Sequence, residues 1–326
     1  MSIKCAVIGM GVGEQHLISI MQNMNSDLVA ICDIDPIKLD KMASKYQVAD
    51  SYIDYRDMLN NHHLDFVVIS SFDDAHFNQI MSCFNLGISV FVEKPICLKI
   101  EHLEELKLAK ENNGIKYVGC NLILRREKVF KKLKDEIKAG TLGELYLIES
   151  SYDYGRWYKV LDGWRGRTPD YSVMLGGGIH MIDLIQWLCS QNIHHINSFS
   201  GNIISSLGGV KFPDLVMSVG RLQNDALVKV NANFGCVSGH FHQLKIYGSK
   251  GTFSLDCGHS RYFLNYDNNR TYKVDYEKFP NINKGVILSE FIDAISFGAS
   301  PPIEFDEIYT ATKYALECSQ FVLMSE

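Results

Sequence analysis

Apolar and polar positions follow two different patterns along the chain. Over the first 120 residues, short continuous apolar runs stand at IKCAVIG (3–9), DLVAICD (27–33), DFVVISS (65–71), ISVFVEK (88–94) and IKYVGCN (115–121). Stretches of helical period lie between and beside them, at 14–24, 36–46, 55–63, 75–86 and 100–113, the last with a C-terminal stop at Asn113-Gly114. Strands apolar on both faces, alternating with amphipathic helices, predict a parallel sheet covered on both sides. Residues 1–120 therefore read as a doubly wound α/β domain of Rossmann type.

Beyond residue 121 the pattern changes. A helix is predicted over 127–139, ending at Gly140, then a strand at ELYLIESSYDY and a helix at about 176–189. The runs DLVMSVGRLQ, ALVKVNANFG, FHQLKIYGS, GTFSLDCG, RYFLNYDN and RTYKVDYE follow, separated by Gly or Asn-Asn turns, and two helices at about 284–297 and 306–324 flank SPPIEF. Strands joined by short turns predict a large, mostly antiparallel sheet, so 121–326 reads as an α+β domain.

Composition narrows the partners. The 326 residues are 46% hydrophobic with a net charge of −6, and no basic stripe suits nucleic acid. Apolar runs such as FVVISSF and YVGCNLIL are too short to span a bilayer, and MSIKCAVIGMG enters a strand without room for a signal peptide. Nine cysteines stand singly, with no Cys-x-x-Cys pair, as expected of reduced thiols. A cytoplasmic protein without nucleic-acid or membrane partners is expected.

The first strand runs into GMGVGEQH, with Gly9, Gly11 and Gly13 ahead of a helix. Backbone amides at such a turn, with the positive end of the helix, suit a pyrophosphate that no side chain keeps away. The usual third glycine would stand at position 14; Glu14 is there and Gly13 comes one residue early, so the Glu14 carboxylate must point away from the phosphates. Asp33 ends the second strand twenty residues after Gly13, where a carboxylate accepts both ribose hydroxyls of NAD and repels a 2′-phosphate. Ile34, Asp35 and Pro36 offer no cation to welcome NADP. NAD is the expected cofactor, NADP the less favoured one. Its candidate contacts are Gly9, Gly11, Val12, Gly13, Asp33, Ser71, Glu93 and Lys94.

The fourth of these apolar runs ends in FVEKP. Carboxyl ends of strands face the ligand crevice of an open α/β sheet, so Lys94 is expected to project beside the nicotinamide, with Glu93 paired locally. A third signal is LGGGIHMIDLIQW (175–187), where His180 and Asp183 stand three apart on an apolar helix behind three glycines. Residue types alone leave His180 as a metal ligand, a satisfied core histidine or a catalytic base. No metal-type spacing connects it to His240 and His242, and no metal is expected.

GMGVGEQH, the acid after strand two, ISVFVEKP and GGGIHMIDLIQWL stand in an order and separation that resemble the glucose–fructose oxidoreductase / inositol dehydrogenase / rhizopine-catabolism (Gfo/Idh/MocA) family. The resemblance covers essentially the whole chain, including KAGTLGEL. It implies oxidation or reduction of a secondary alcohol of a sugar or cyclitol with NAD(P). The family's catalytic lysine matches Lys94 and its helix histidine His180. Many members carry an aspartate four residues before that histidine, where this chain has Gly176, so the polar set is reduced to Lys94 and His180. The resemblance also implies a homodimer or homotetramer paired through the antiparallel sheet.

Hydride leaves a carbon only as its hydroxyl proton leaves. In this reading His180 is the base, Lys94 steadies the alkoxide, and Asp183 orients the ring or fixes the helix. The loop SYDYGRWYKVLDGWRGRTPDY (151–171) offers rings for a sugar face and Arg156, Trp164, Arg165 and Arg167 as substrate contacts, with Arg156, Lys159 and Arg167 favouring an acidic or phosphate-bearing sugar. The expected function is NAD-dependent hydride transfer at a hydroxyl of a sugar, cyclitol or nucleotide sugar. Two alternatives stand: an NAD-retaining glycosidase on the same fold, and a non-catalytic NAD- or sugar-sensing protein.

Overall fold

A computed structural model of the protein describes residues 2–266, 269–275 and 285–323, which divide into two compact units. The first runs to Leu122. It alternates β1 (Ile3–Ile8), α1 (Gly13–Gln22), β2 (Ser26–Cys32), α2 (Pro36–Tyr46), β3 (Asp50–Tyr52), α3 (Tyr55–Asn61), β4 (Phe66–Ile69), α4 (His76–Asn85), β5 (Ser89–Val92), α5 (Ile100–Asn112) and β6 (Val118–Cys120). The sheet order is β3-β2-β1-β4-β5-β6 with every pair parallel, so the winding reverses between β1 and β4. That reversal marks the ligand crevice of such sheets.

Local chemistry explains the elements. All of β4 and Val90–Val92 of β5 are fully buried, which is why these strands read as unbroken apolar runs. Pro36 opens α2, and the Asp35 carboxylate caps it by accepting the Ile37 and Lys38 amides at 3.0 and 3.2 Å. Five strands are predicted here and six are present. The extra one, β3, is three polar residues at the sheet edge, too short to carry a period.

The second unit starts at Ile123. A 3₁₀ turn (Ile123–Arg126) leads to α6 (Lys128–Lys138), β7 (Leu145–Asp153), α7 (Tyr158–Leu161) and a second 3₁₀ turn (Arg165–Arg167). A π-helical turn (Met174–Gly178) runs into α8 (Ile179–Cys189), followed by β8 (Ile193–Gly201), α9 (Ile203–Gly208), β9 (Leu215–Leu222), β10 (Leu227–Asn233), β11 (Phe241–Gly248), β12 (Gly251–Asp256), β13 (His259–Tyr266) and β14 (Asn269–Asp275). The eight strands form one sheet in the order β14-β13-β12-β11-β7-β10-β9-β8, antiparallel except where β10 pairs parallel with β7. Buried and exposed positions alternate along β9 and β10, so one face is packed and the other open. Every residue of α8 from Ile179 to Gln186 is buried, making it a core helix. The predicted fold classes are those observed; the far ends of the runs RYFLNYDN and RTYKVDYE, and the outer ends of the two C-terminal helices, lie outside the described residues.

The domain division needs one correction. All of 121–326 was expected to form the second domain, yet α10 (Val286–Phe297) and the start of α11 (Phe305–Leu323) belong to the first unit. Phe291 explains it: its ring packs against Phe66, Phe91 and Tyr117 at centroid distances of 5.7, 5.4 and 6.4 Å. Gly119 leaves the room, since a Cβ there would lie 2.8 Å from that ring. Asn23 adds hydrogen bonds to Ser289 Oγ and Asp293 Oδ1 at 3.0 and 3.1 Å. Among the described residues, no helix is long and apolar enough to cross a membrane.

Candidate active site

The glycine turn after β1 divides its work among three residues. Gly9 has φ +88°, and a Cβ on it would lie 2.6 Å from the Ser70 carbonyl and the Ser71 amide, so only glycine lets the turn press against the end of β4. Gly13 holds α1 against the sheet: a Cβ there would meet Ser70 Oγ at 2.5 Å and Val7 at 3.1 Å. Around Gly11 a Cβ would meet nothing within 4 Å. The free room is thus at Gly11, beside exposed Val12 and the amino end of α1. Glu14 does point away, accepting hydrogen bonds from Lys45 Nζ and Tyr46 at 2.7 and 2.8 Å, which hold its carboxyl below the usual range.

Asp33 is buried at the end of β2. Its Oδ2 accepts the Met10 amide of the glycine turn at 2.6 Å and its Oδ1 the Asp35 amide at 2.9 Å, so this carboxylate shapes the turn as well as facing it. Lys38 stands 3.4 Å from both oxygens. No cation was expected beside Asp33, because Lys38 is five residues on and reaches back only once Pro36 has started α2.

Two further residues of unit one stand at the ends of β4 and β5. Ser71 donates to Gln79 at 2.7 Å. Glu93 is fastened: its Oε1 accepts from His16 Nε2 at 2.8 Å and Asn121 Nδ2 at 2.7 Å. Burial alone would raise the Glu93 carboxyl, but the His16 bond and charge, the Asn121 amide and the Lys94 charge outweigh it and hold it at about 2. Lys94 follows, half-buried, and His76 Nδ1 donates to the Pro95 carbonyl at 2.7 Å. Glu93 is thereby an anchor that fixes where β5 releases Lys94.

In the second unit, the glycines before α8 serve the protein's own side chains. A Cβ at Gly176 would lie 2.0 Å from the Tyr171 hydroxyl, one at Gly177 2.3 Å from the Tyr152 ring, and one at Gly178 2.4 Å from Met174 Sδ. The turn is π-helical, a form frequent at functional sites. His180 follows, 7% exposed, stacked on Tyr152 at 6.1 Å and 6.4 Å from the His242 ring. His240 lies 5.0 Å from both His242 and Tyr152. Burial, with the neighbouring His240, pushes His242 down to about 3, so it stands neutral. Burial, then Tyr154, raises the Tyr152 hydroxyl against the opposing pull of Arg165 and Arg156, so it keeps its proton.

Asp183 is 1% exposed and held by Arg125, whose Nε reaches both carboxylate oxygens at 3.1 and 3.0 Å and whose Nη2 reaches Oδ1 at 2.5 Å. This fork ties α8 to the 3₁₀ turn that carries Arg125. In the 151–171 loop, Arg156 lies over the Tyr154 ring at 5.9 Å and Arg165 over Trp164 at 4.6 Å. Exposed Arg167 donates to the Asp162 carbonyl at 3.3 Å.

His16, His76, Asn121 and Arg125 were not singled out from the sequence, Tyr171 was read only among the rings of the 151–171 loop, and His242 was weighed only as a metal ligand. A usable signal existed for His242 alone, at an inward position of a strand whose period was legible. Among the described residues, no three His, Cys, Asp or Glu side chains are grouped as a metal would require.

A glycine turn open at its centre, an acid ending β2 and a winding reversal between β1 and β4 define a dinucleotide-binding oxidoreductase of Rossmann type. Residues 3–120 match the model of an oxidoreductase family with an NAD-binding Rossmann fold, and 130–254 match the Gfo/Idh/MocA C-terminal domain. The chain belongs to the Gfo/Idh/MocA oxidoreductase family, and its cofactor is NAD. It is 25% identical to the inositol 2-dehydrogenase of Salmonella typhimurium over 78% of this chain and 74% of that one. A similar fold is seen in myo-inositol 2-dehydrogenase from Lactobacillus plantarum (TM-score 0.85, 18% identity, 100% and 98% of the two chains). It is seen also in scyllo-inositol dehydrogenase from Lactobacillus casei with bound NAD(H) and scyllo-inositol (TM-score 0.80, 20% identity, 100% and 98%). The residues present fit NAD: the room at Gly11 and the amino end of α1 would take the pyrophosphate, and Asp33 the ribose diol.

Proposed function

We propose that the protein oxidises a secondary hydroxyl of a cyclitol or a similar neutral polyol, or runs that reaction in reverse. The observation that carries the reading is His180: a buried imidazole stacked on Tyr152, beside the neutral imidazole of His242, on a helix anchored through Asp183. His242, standing neutral, adds no positive charge of its own beside His180 when His180 takes a proton. In this reading His180 takes the hydroxyl proton, Lys94 steadies the oxygen it leaves, and the Arg125–Asp183 pair keeps α8 in register. Bound NAD supplies the hydride acceptor. Asp183 is thereby given a positioning role.

Arginines at 156 and 165 rest on aromatic faces, and Arg167 is engaged within its own loop, an arrangement that supports a neutral polyol over a nucleotide sugar. The test is to incubate the protein with NAD and a panel of inositol isomers, sugars and nucleotide sugars while following NADH absorbance. Turnover is expected with one or more inositols or neutral sugars. Preference for a nucleotide sugar would overturn the substrate class, and glycoside cleavage without net NADH would overturn the reaction.

The working form is proposed to be a homodimer or homotetramer. Its support is the open face of the second unit's sheet, where Phe199, Met217, Val219, Leu227 and Phe263 are exposed. Light scattering should return two or four times the 36.9 kDa chain mass; a monomer would overturn this part of the reading.

A further inference from the structure

Lys38 occupies a position that helix stability disfavours. It is the third residue of α2, where the positive end of the helix dipole opposes a cationic side chain. The carboxylate it faces is already served: Asp33 Oδ2 accepts the Met10 amide at 2.6 Å and Oδ1 the Asp35 amide at 2.9 Å. Lys38 Nζ lies 3.4 Å from both oxygens, well beyond the roughly 2.7–2.9 Å of a strong charge-assisted bond. Its side chain is 38% exposed, and an exposed ion pair of that length adds little to stability. Stability therefore gives no reason for the lysine.

Its place over Asp33 supplies one. This carboxylate is the group assigned to the ribose diol, and a 2′-phosphate would bring negative charge to the same spot. Asp33 repels that charge, while an ammonium 3.4 Å from both carboxylate oxygens opposes the repulsion at a range where charges interact strongly. The helix end offers no substitute, because the Ile37 and Lys38 amides donate to the Asp35 carboxylate and the Leu39 amide to its carbonyl. The approach is open, since Ile34, Asp35, Pro36 and Ile37 are all exposed.

We propose that Lys38 sets cofactor selectivity jointly with Asp33, by supplying a cation for a 2′-phosphate and so keeping an NAD-preferring site open to NADP(H). NAD stays the preferred cofactor because Asp33 remains in place, and the preference is graded. The inference rests on the assignment of Asp33 to the ribose and is independent of which polyol is oxidised.

The experiment measures NADH and NADPH binding by calorimetry for wild type, Lys38→Arg, Lys38→Met and Lys38→Glu, with Lys41→Met, an exposed lysine of the same helix, as the control. Wild type should bind NADPH more weakly than NADH, yet saturably. Lys38→Met should weaken NADPH binding roughly 10–100-fold, the worth of one hydrogen bond to a charged group, and Lys38→Glu should weaken it further. Lys38→Arg should retain it. NADH affinity should stay within about 2-fold of wild type throughout, since the diol carries no charge for the lysine to meet. Adenosine 2′,5′-bisphosphate and 5′-AMP should reproduce the contrast between the two cofactors, which locates the effect at the ribose. No measurable NADPH binding by wild type, an equal loss of both cofactors in Lys38→Met, or the same loss in Lys41→Met would overturn the inference. A wild-type protein that binds neither cofactor would instead bring down the assignment of Asp33, and the inference with it.

Discussion

The chain contains two glycine-rich turns leading into helices, GMGVG before α1 and LGGG before α8, and they use glycine for different ends. In the first, Gly9 and Gly13 let the backbone close on β4, while Gly11 faces open room. In the second, the positions that Cβ atoms would take are occupied by Tyr171, Tyr152 and Met174 of this chain. One turn leaves room for a ligand, whereas the other draws aromatic side chains onto the helix that presents His180. A missing side chain is informative only once its would-be neighbours are known.

The two turns should separate most sharply when function is measured. His180→Ala, and independently Lys94→Ala, should cut turnover on the polyol by roughly 10²–10⁴-fold, the usual range for a positioned acid–base group. NAD affinity should change little in His180→Ala, since the imidazole belongs to the unit without the glycine phosphate turn. The double variant should lose less than the product of the single losses if both groups act on one oxygen. Near-normal turnover in His180→Ala would return that residue to the core, and EDTA-sensitive wild-type activity would make it a ligand.

Gly11→Val reverses the pattern. A branched side chain in the open room should weaken NAD binding at least about 100-fold, roughly 3 kcal/mol, while Tm stays at its wild-type value. Calorimetry with NAD would decide it, and unchanged binding by the folded variant would place the cofactor elsewhere. NADP(H) bound more tightly than NAD(H) by wild type would undo the role given to Asp33.

A smaller effect sharpens the contrast with one substitution made twice. Gly177→Ala forces a Cβ to within 2.3 Å of the Tyr152 ring and should destabilise the fold by about 1–3 kcal/mol, the cost of overpacking, despite alanine's better helix propensity. Gly11→Ala meets nothing within 4 Å and should stay within about 0.5 kcal/mol of wild type. Urea unfolding of both variants would test this, and equal losses would erase the distinction between the turns.

What the sequence made legible follows the reach of its signals. Gly9, Gly11, Gly13 and Asp33 were readable because a turn and the strand after it are local chemistry at fixed spacing. Lys94 and His180 stood out as candidates because each stands in a short motif. Their supports were not: Glu93 is held by His16, 77 residues away, and Asp183 by Arg125, 58 residues away, and no period along the chain encodes such pairings. Tyr171 was legible only as one ring of its loop, since its packing against the empty Cβ position of Gly176, five places on, is not a local signal. The return of α10 to the first unit was hidden because an apolar helix does not state in sequence which core it fills.

Those supports differ in a way that pH can reveal. The helix behind the first turn is fastened by His16 to Glu93, the helix behind the second by Asp183 to Arg125, and arginine keeps its charge at every accessible pH. Glu93 has its carboxyl lowered in the folded protein to about 2 from 4.5. A group with a depressed folded value contributes stability that is fully present above its unfolded value and is lost as pH falls through the folded one. The share owed to Glu93 should therefore be complete above about pH 4.5 and drain away toward about pH 2. Glu93→Gln, which keeps the side-chain shape but cannot ionise, should be less stable than wild type near neutrality, with the gap narrowing across that window. Unfolding free energies of the two proteins measured down the acid range would test it. A gap independent of pH would mean that Glu93 is held by shape and hydrogen bonding, with no net contribution from its charge.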